Sequence, residues 1–139
     1  VHATSDKNMA EKRVGPERIK GAYAWRKFLD TGAVVPNGTD APVEDVDPLA
    51  SFRAAITRRM ADGTAFHPEQ RMSRHEALRS MTRDAAYAAF EEGEKGTLEV
   101  GRLADVTVLS GDLRTMPEEA LGDVAVTTTI VGGRVAFSR

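Results

Sequence analysis

Apolar positions follow two periods along this chain, with the change near residue 90. Before it they recur at three- and four-residue spacing; after it they alternate, with β-branched residues between. The stretch PERIKGAYAWRKFLDTG carries Ile19, Ala22, Tyr23, Trp25, Phe28 and Leu29 on one helical face. Pro16 suits a first helical position and Gly32 a stop, so one helix is predicted over 16–32, with its Trp25, Phe28 and Leu29 face in the core. Residues 1–15 read as polar and irregular, tied to that helix by an Asp6–Arg18 pair. Ala33 to Val35 reads as a short buried strand. Asp47 and Pro48 form a cap and a first-turn proline for a second helix, with Leu49, Phe52, Ile56 and Met60 as its stripe. Ser73 and Glu76 form a capping box for a third, and Thr82 caps a fourth. Beyond Phe90, two short strands are expected around Gly101, followed by a hairpin turning at Gly132-Gly133.

Composition narrows the class of protein. The chain has 139 residues, 41% hydrophobic and 29% charged, as in an ordinary globular domain. A net charge of −2 and a pI of about 5.9 argue against non-specific nucleic-acid binding, which needs a basic field. No apolar run approaches the ~20 residues of a membrane span, and no signal peptide is evident. Cysteine is absent, which removes disulfides, thiolate metal ligands and a thiol nucleophile, and a cytoplasmic location is expected. Val1 stands where Met commonly begins a chain; a GTG start and a chain continuing upstream both produce it.

The stretch VVPNGTDAPVE, residues 34–44, poses the chemical question. Asp40 follows an apolar segment, with Gly38 before it and Pro42 after it. A carboxylate at the C-terminal tip of a barrel strand is a common catalytic placement. An Asp in a turn or cap is equally ordinary, and the local residues admit both. Gly38 is expected to allow a positive φ or a close backbone approach. A single buried strand cannot satisfy its own N–H and C=O groups, so neighbouring strands are expected upstream. Of the three histidines, His67 and His75 lie eight residues apart without a ligand triad and read as surface or structural.

Several stretches, in order along almost the whole chain, resemble one family. GRLADVTVLSGD, preceded by EKGTLEVG, is similar to the closing segment of amidohydrolase-superfamily enzymes. GTDAPVEDVDP resembles the end of the eighth barrel strand in that superfamily. VGPERIKGAYAWRKFLDTGA, HPEQRMSRHEALRSMTRDAAYAAFEE and TIVGGRV resemble the YtcJ-like or amidohydrolase-3 branch, which includes N-substituted formamide deformylase.

The resemblance implies an α/β fold. Residues 1–93 would hold the last strand and helices of a metal-dependent hydrolase (β/α)8 TIM barrel, and 94–139 the closing strands of a small β-sandwich domain. It implies hydrolysis of C–N (amide-type) bonds by metal-activated water. Asp40 would be general base, general acid and metal contact, and His2, in VHATSD, a substrate or oxyanion contact. Zn2+ or another divalent metal would be held mostly by residues outside this chain, because no His-x-His pair occurs here. Asp105, in the Leu-Ala-Asp element, would be structural. The implied partners are a small-molecule amide-type substrate, the remainder of its own barrel upstream and further copies in a homo-oligomer, with no nucleic acid and no membrane. The alternative is a non-catalytic remnant or a barrel-completing interaction module, which would expose an apolar barrel edge and self-associate. A small independent α+β binding domain fits the composition but explains none of the ordered motifs.

Overall fold

A computed structural model describes residues 2–60 and 62–139. The chain divides into two compact units, Val1–Met81 and Thr82–Arg139.

The first unit is helical. Helices α1 (His2–Ser5) and α2 (Lys7–Arg18) occupy the stretch expected to be irregular. Their buried alanines explain the difference: Ala3 and Ala10 pack with Ile19 and Phe66, so small apolar residues, invisible to a polar-composition reading, seat both helices. Gly15, at φ +76° and ψ 170°, interrupts α2, and Pro16 restarts it as a proline at a first helical position does. The predicted helix over 16–32 is broken in its middle. A 3₁₀ turn over Ile19–Gly21 ends the first part, Tyr23 takes φ +51°, and α3 spans only Trp25–Asp30. Tertiary bonds outcompete helix continuation here. The Tyr23 hydroxyl donates to Asp6 (3.0 Å) and its carbonyl accepts from Arg58 (2.9 Å). Asp6 is therefore paired with Tyr23, not with Arg18, whose Nε donates to the Val14 carbonyl. No residue of α3 is fully buried, and Phe28 is 56% exposed, so the expected core face is at best half-covered.

Residues 33–35 belong to no strand in the described ladder pattern, because no described segment pairs with them. Helix α4 (Pro48–Thr57) starts as expected, with the Asp47 carboxylate accepting from the N–H groups of Leu49 (2.9 Å) and Ala50 (3.0 Å). It buries Phe52 and Ile56 and ends at Arg58, which takes φ +52° and places Met60 beyond the helix. Helix α5 (Arg74–Met81) begins with the expected capping box, in which Glu76 accepts from the Ser73 N–H (2.8 Å) and hydroxyl (2.7 Å). The same carboxylate pairs with Arg26 of α3, Nη1 lying 2.9 Å from Oε1.

The second unit opens with α6 (Arg83–Ala88), preceded by Thr82, whose side chain makes no capping bond. Gly96, at φ +94°, lets the following loop fold back onto this helix, where an added Cβ would stand 2.9 Å from the Ala86 Cβ and 3.0 Å from the Arg83 Cα. Leu98 and Val100 are exposed and form no ladder, so the first of the two strands expected around Gly101 is absent among the described residues. Strands β1 (Val106–Leu109), β2 (Val126–Val131) and β3 (Arg134–Ser138) form an antiparallel sheet in the order β1-β2-β3. Gly132 and Gly133, at φ +56° and +78°, make the β2–β3 turn. That turn is fastened to the residues before β1: Gly132 N–H donates to the Asp105 carboxylate (2.8 Å) and Gly133 N–H to the Ala104 carbonyl (3.0 Å). Every residue of β3 is exposed, Val135 and Phe137 included.

Two stability predictions follow from these packings. The Arg26 partner holds the Glu76 carboxyl down at about 2 from its usual 4.5, against the opposing effect of burial and with help from Ser73. A depressed carboxylate contributes stability that is complete above the unfolded value and is lost as pH falls toward the folded one. Urea midpoints of the first unit should therefore drop between about pH 4.5 and 2, and Glu76→Gln should flatten that dependence while costing about 1.5–3 kcal/mol at neutral pH. Gly96→Ala should destabilise the second unit by about 1–3 kcal/mol in the same measurement, through the clash and the positive φ together.

Candidate functional site

Asp40 ends a loop that runs from Thr31, and its backbone sits at φ +60°, a conformation Asp tolerates better than most residues. Its carbonyl accepts from Val43 (2.9 Å) and Glu44 (3.3 Å), closing a turn that contains the cis Ala41–Pro42 bond. The side chain has a different task. Asp40 Oδ2 lies 3.2 Å from His2 Nε2, and among the described residues its carboxylate accepts no backbone N–H. An Asx turn would need such a bond, and the helix cap nearby is Asp47. Ser5, one turn along α1 from His2, donates through its hydroxyl to Glu44. Helix α1 is thus stitched to the Asp40 turn at two points, and two residues 38 positions apart in sequence meet side chain to side chain.

His2 also lines a cavity of about 260 Å³ together with Tyr23, Trp25, Asn37 and Gly38. Behind the aromatic part of this wall lies Arg58. It is fully buried, its guanidinium carbon is 4.7 Å from the Trp25 ring centroid and 5.4 Å from that of Phe66. Nε donates to the Phe66 carbonyl (2.6 Å), Nη1 to the Tyr23 carbonyl (2.9 Å), and Nη2 finds no partner among the described residues. Burial pushes its pKa down to about 10, so it is still a cation at neutral pH. The Tyr23 hydroxyl is pushed up, first by burial and then by its bond to Asp6. Nothing in the sequence marked Arg58: it is one of two consecutive arginines after a helix, and its burial depends on Tyr23, Trp25 and Phe66 from elsewhere.

The other two histidines lie on different segments of the first unit. His67 contacts Glu69 through Nδ1 (2.9 Å) and sits edge-on to the Phe66 ring, 4.7 Å between centroids. His75 is exposed in the first turn of α5. Gly38 does not take a positive φ, and an added Cβ there would meet nothing within 4 Å, contrary to the close approach expected. Among the described residues, no group of three or more His, Asp or Glu side chains could hold a metal ion. Asp40 and His2 are nevertheless of the right chemistry, an oxygen and an imidazole nitrogen, to contribute to a divalent-ion site. No helix among the described residues is long and apolar enough to cross a membrane.

With helices around a carboxylate–imidazole pair in one unit and an antiparallel sheet in the other, the relationship to known proteins is specific. The sequence profile of the amidohydrolase family matches residues 1–137, and the chain belongs to that family. It is 29% identical over 130 residues, 91% of its length, to YtcJ of Bacillus subtilis (strain 168), an amidohydrolase by name. It is also 29% identical, over 84% of its length, to N-substituted formamide deformylase of Arthrobacter pascens. These matches span 25% and 22% of the two relatives, so the chain covers about a quarter of the length of the curated relatives it matches. Among solved structures, an uncharacterized metal-dependent hydrolase from Pyrococcus horikoshii OT3 superposes with a TM-score of 0.73 at 28% identity, covering 85% of this chain and 24% of that one.

The arrangement around Arg58 makes a measurable prediction. Lysine has one donor nitrogen and cannot bridge the Phe66 and Tyr23 carbonyls as a guanidinium fork does. Arg58→Lys should cost about 1–3 kcal/mol in urea unfolding and shift the emission of Trp25 to the red, because the indole loses its stacked cover.

Proposed function

We propose that this chain is the closing part of a metal-dependent hydrolase that cleaves C–N bonds of amide type. Residues 1–93 would supply the last strand and helices of a (β/α)8 barrel and residues 94–139 strands of a composite β-sandwich. The observation that carries the reading is the contact between His2 Nε2 and Asp40 Oδ2 at the cavity rim. It unites the two residues that the family resemblance singles out, and among the described residues the Asp40 carboxylate accepts no backbone N–H. Zn2+ or another divalent ion, liganded mostly by residues outside this chain, would bring a water's pKa down to roughly 7.

Asp40 is then the general base. Its carboxylate takes a proton from the attacking water as the new C–O bond forms, and returns it to the nitrogen as the C–N bond breaks. The proton lost by water ends on the leaving amine, so the carboxylate is regenerated. His2 donates through Nε2 to Asp40 Oδ2, which orients the carboxylate; Nδ1 of the neutral ring is then an acceptor for a substrate N–H, and only the imidazolium form donates from Nδ1 to an oxyanion. The positive φ of Asp40 is held by the turn that its carbonyl closes with the N–H groups of Val43 and Glu44. A second reading, a barrel-completing interaction module, draws support from the exposed Val135 and Phe137 on β3.

The test uses the longest reading frame that contains this chain, loaded with zinc and assayed on a panel of simple amides. Asp40→Asn should lower kcat by about 10²–10⁴ with metal content measured alongside. A wild-type rate in that variant would remove Asp40 from the chemistry. Absence of any metal-dependent amide hydrolysis in the wild type would leave the interaction module as the better reading.

A further inference from the structure

We infer that the cavity beside His2 receives a flat apolar substituent of the amide substrate, with Trp25 as the wall that selects it; the inference rests on the hydrolase reading above. Trp25, Val35, Pro36, Ala55 and Met72 are the apolar residues of a lining that is polar in equal part. No Lys, Arg, Asp or Glu lines it, so a charged substituent entering it would meet no opposite full charge on a lining acid, lysine or arginine. The polar lining side chains include His2 and Asn37, and His2 is also the residue that touches Asp40. The cavity therefore shares His2 with the proposed reacting centre.

Its size fits a ring. An engineered apolar cavity of about 150 Å³ takes benzene, and this one is about 260 Å³ and open on one side. The wall is also set in advance. Arg58 sits 4.7 Å from the Trp25 ring centroid, and its guanidinium is itself fixed by the Phe66 and Tyr23 carbonyls. A buried cation held in this way keeps the indole in place, and a ligand then loses little in ordering it. A small aliphatic amide would touch few of these side chains, so the wall should discriminate by the substituent and leave the amide group to His2 and Asp40.

Trp25 is the only tryptophan in the chain, so its fluorescence reads the cavity directly. The 139-residue chain is titrated with benzamide and, separately, with acetamide, and the emission of Trp25 is followed. Benzamide should produce a saturable change with a Kd at least tenfold below that for acetamide. Gly38→Leu, at a lining position where an added Cβ meets nothing within 4 Å, should abolish that change with the circular dichroism spectrum unaltered. No saturable change, equal affinity for the two amides, or undiminished benzamide binding in Gly38→Leu would each overturn the inference. Failure of the hydrolase reading looks different. Selective benzamide binding by the chain, together with no amide hydrolysis by the zinc-loaded longer protein, would keep the ring-binding subsite and discard the chemistry. Hydrolysis of acetamide and benzamide with equal kcat/KM would discard the subsite and keep the chemistry.

Discussion

The first unit is organised around a buried cation. Arg58 has no exposed surface, and a guanidinium taken out of water is costly unless its donors are met. Two of its nitrogens are met by carbonyls, those of Phe66 and Tyr23, which lie on segments far apart in sequence. The Phe66 N–H in turn donates to the Arg58 carbonyl, so residue 58 and residue 66 are joined by backbone and side chain at once. Three departures from regular structure gather here: Tyr23, Arg58 and His67 all take positive φ. Each would be unfavourable alone. Together they deliver two carbonyls and two aromatic rings to one guanidinium, and the interaction gained there offsets the strain of reaching it.

This arrangement also explains why the aromatic wall of the cavity is where it is. The break at Tyr23 ends the 3₁₀ turn and allows α3 to begin at Trp25, with the indole over the cation. Had the helix run on through residues 22–24, Tyr23 could not have offered its carbonyl to Arg58, because an α-helical carbonyl is directed at the residue four ahead. The second unit solves a comparable problem with backbone groups alone. Its hairpin turn has two N–H groups pointing away from the sheet, and Ala104 and Asp105 accept both, so the approach to β1 and the β2–β3 turn are fixed by one pair of bonds.

Features decided within four or five residues were readable in the sequence. The Asp47 cap, the Ser73–Glu76 box and the glycine pair in the hairpin follow from local hydrogen-bonding rules that do not need the rest of the fold. Features decided by distant partners were not. The periodicity of residues 16–32 is helical, but it carries no information on Arg58 or Asp6, and those two residues break the helix. The apolar run at 33–35 has the composition of a strand, yet strand formation depends on neighbours, and none of the described segments pairs with it. Asp40 was singled out through its family motif. Its contact with His2 was not, since no local rule relates positions 2 and 40.

That contact bears on why so little of a metal site is found in so much of a family match. The family profile spans nearly the whole chain, while no three potential ligands cluster among the described residues. The two facts agree if this portion supplies the proton-handling carboxylate and the substrate wall, and other strands supply most of the ligands. Such a division suits the physics of barrel enzymes, whose reacting groups come from the ends of several different strands and whose specificity comes from the loops around them. In the proposed role, a carboxylate that both accepts and returns a proton would benefit from being held by its own turn and by an imidazole rather than by the ligand cage. Asp40 has both supports within this chain, through Val43 and Glu44 on its carbonyl and His2 on its carboxylate.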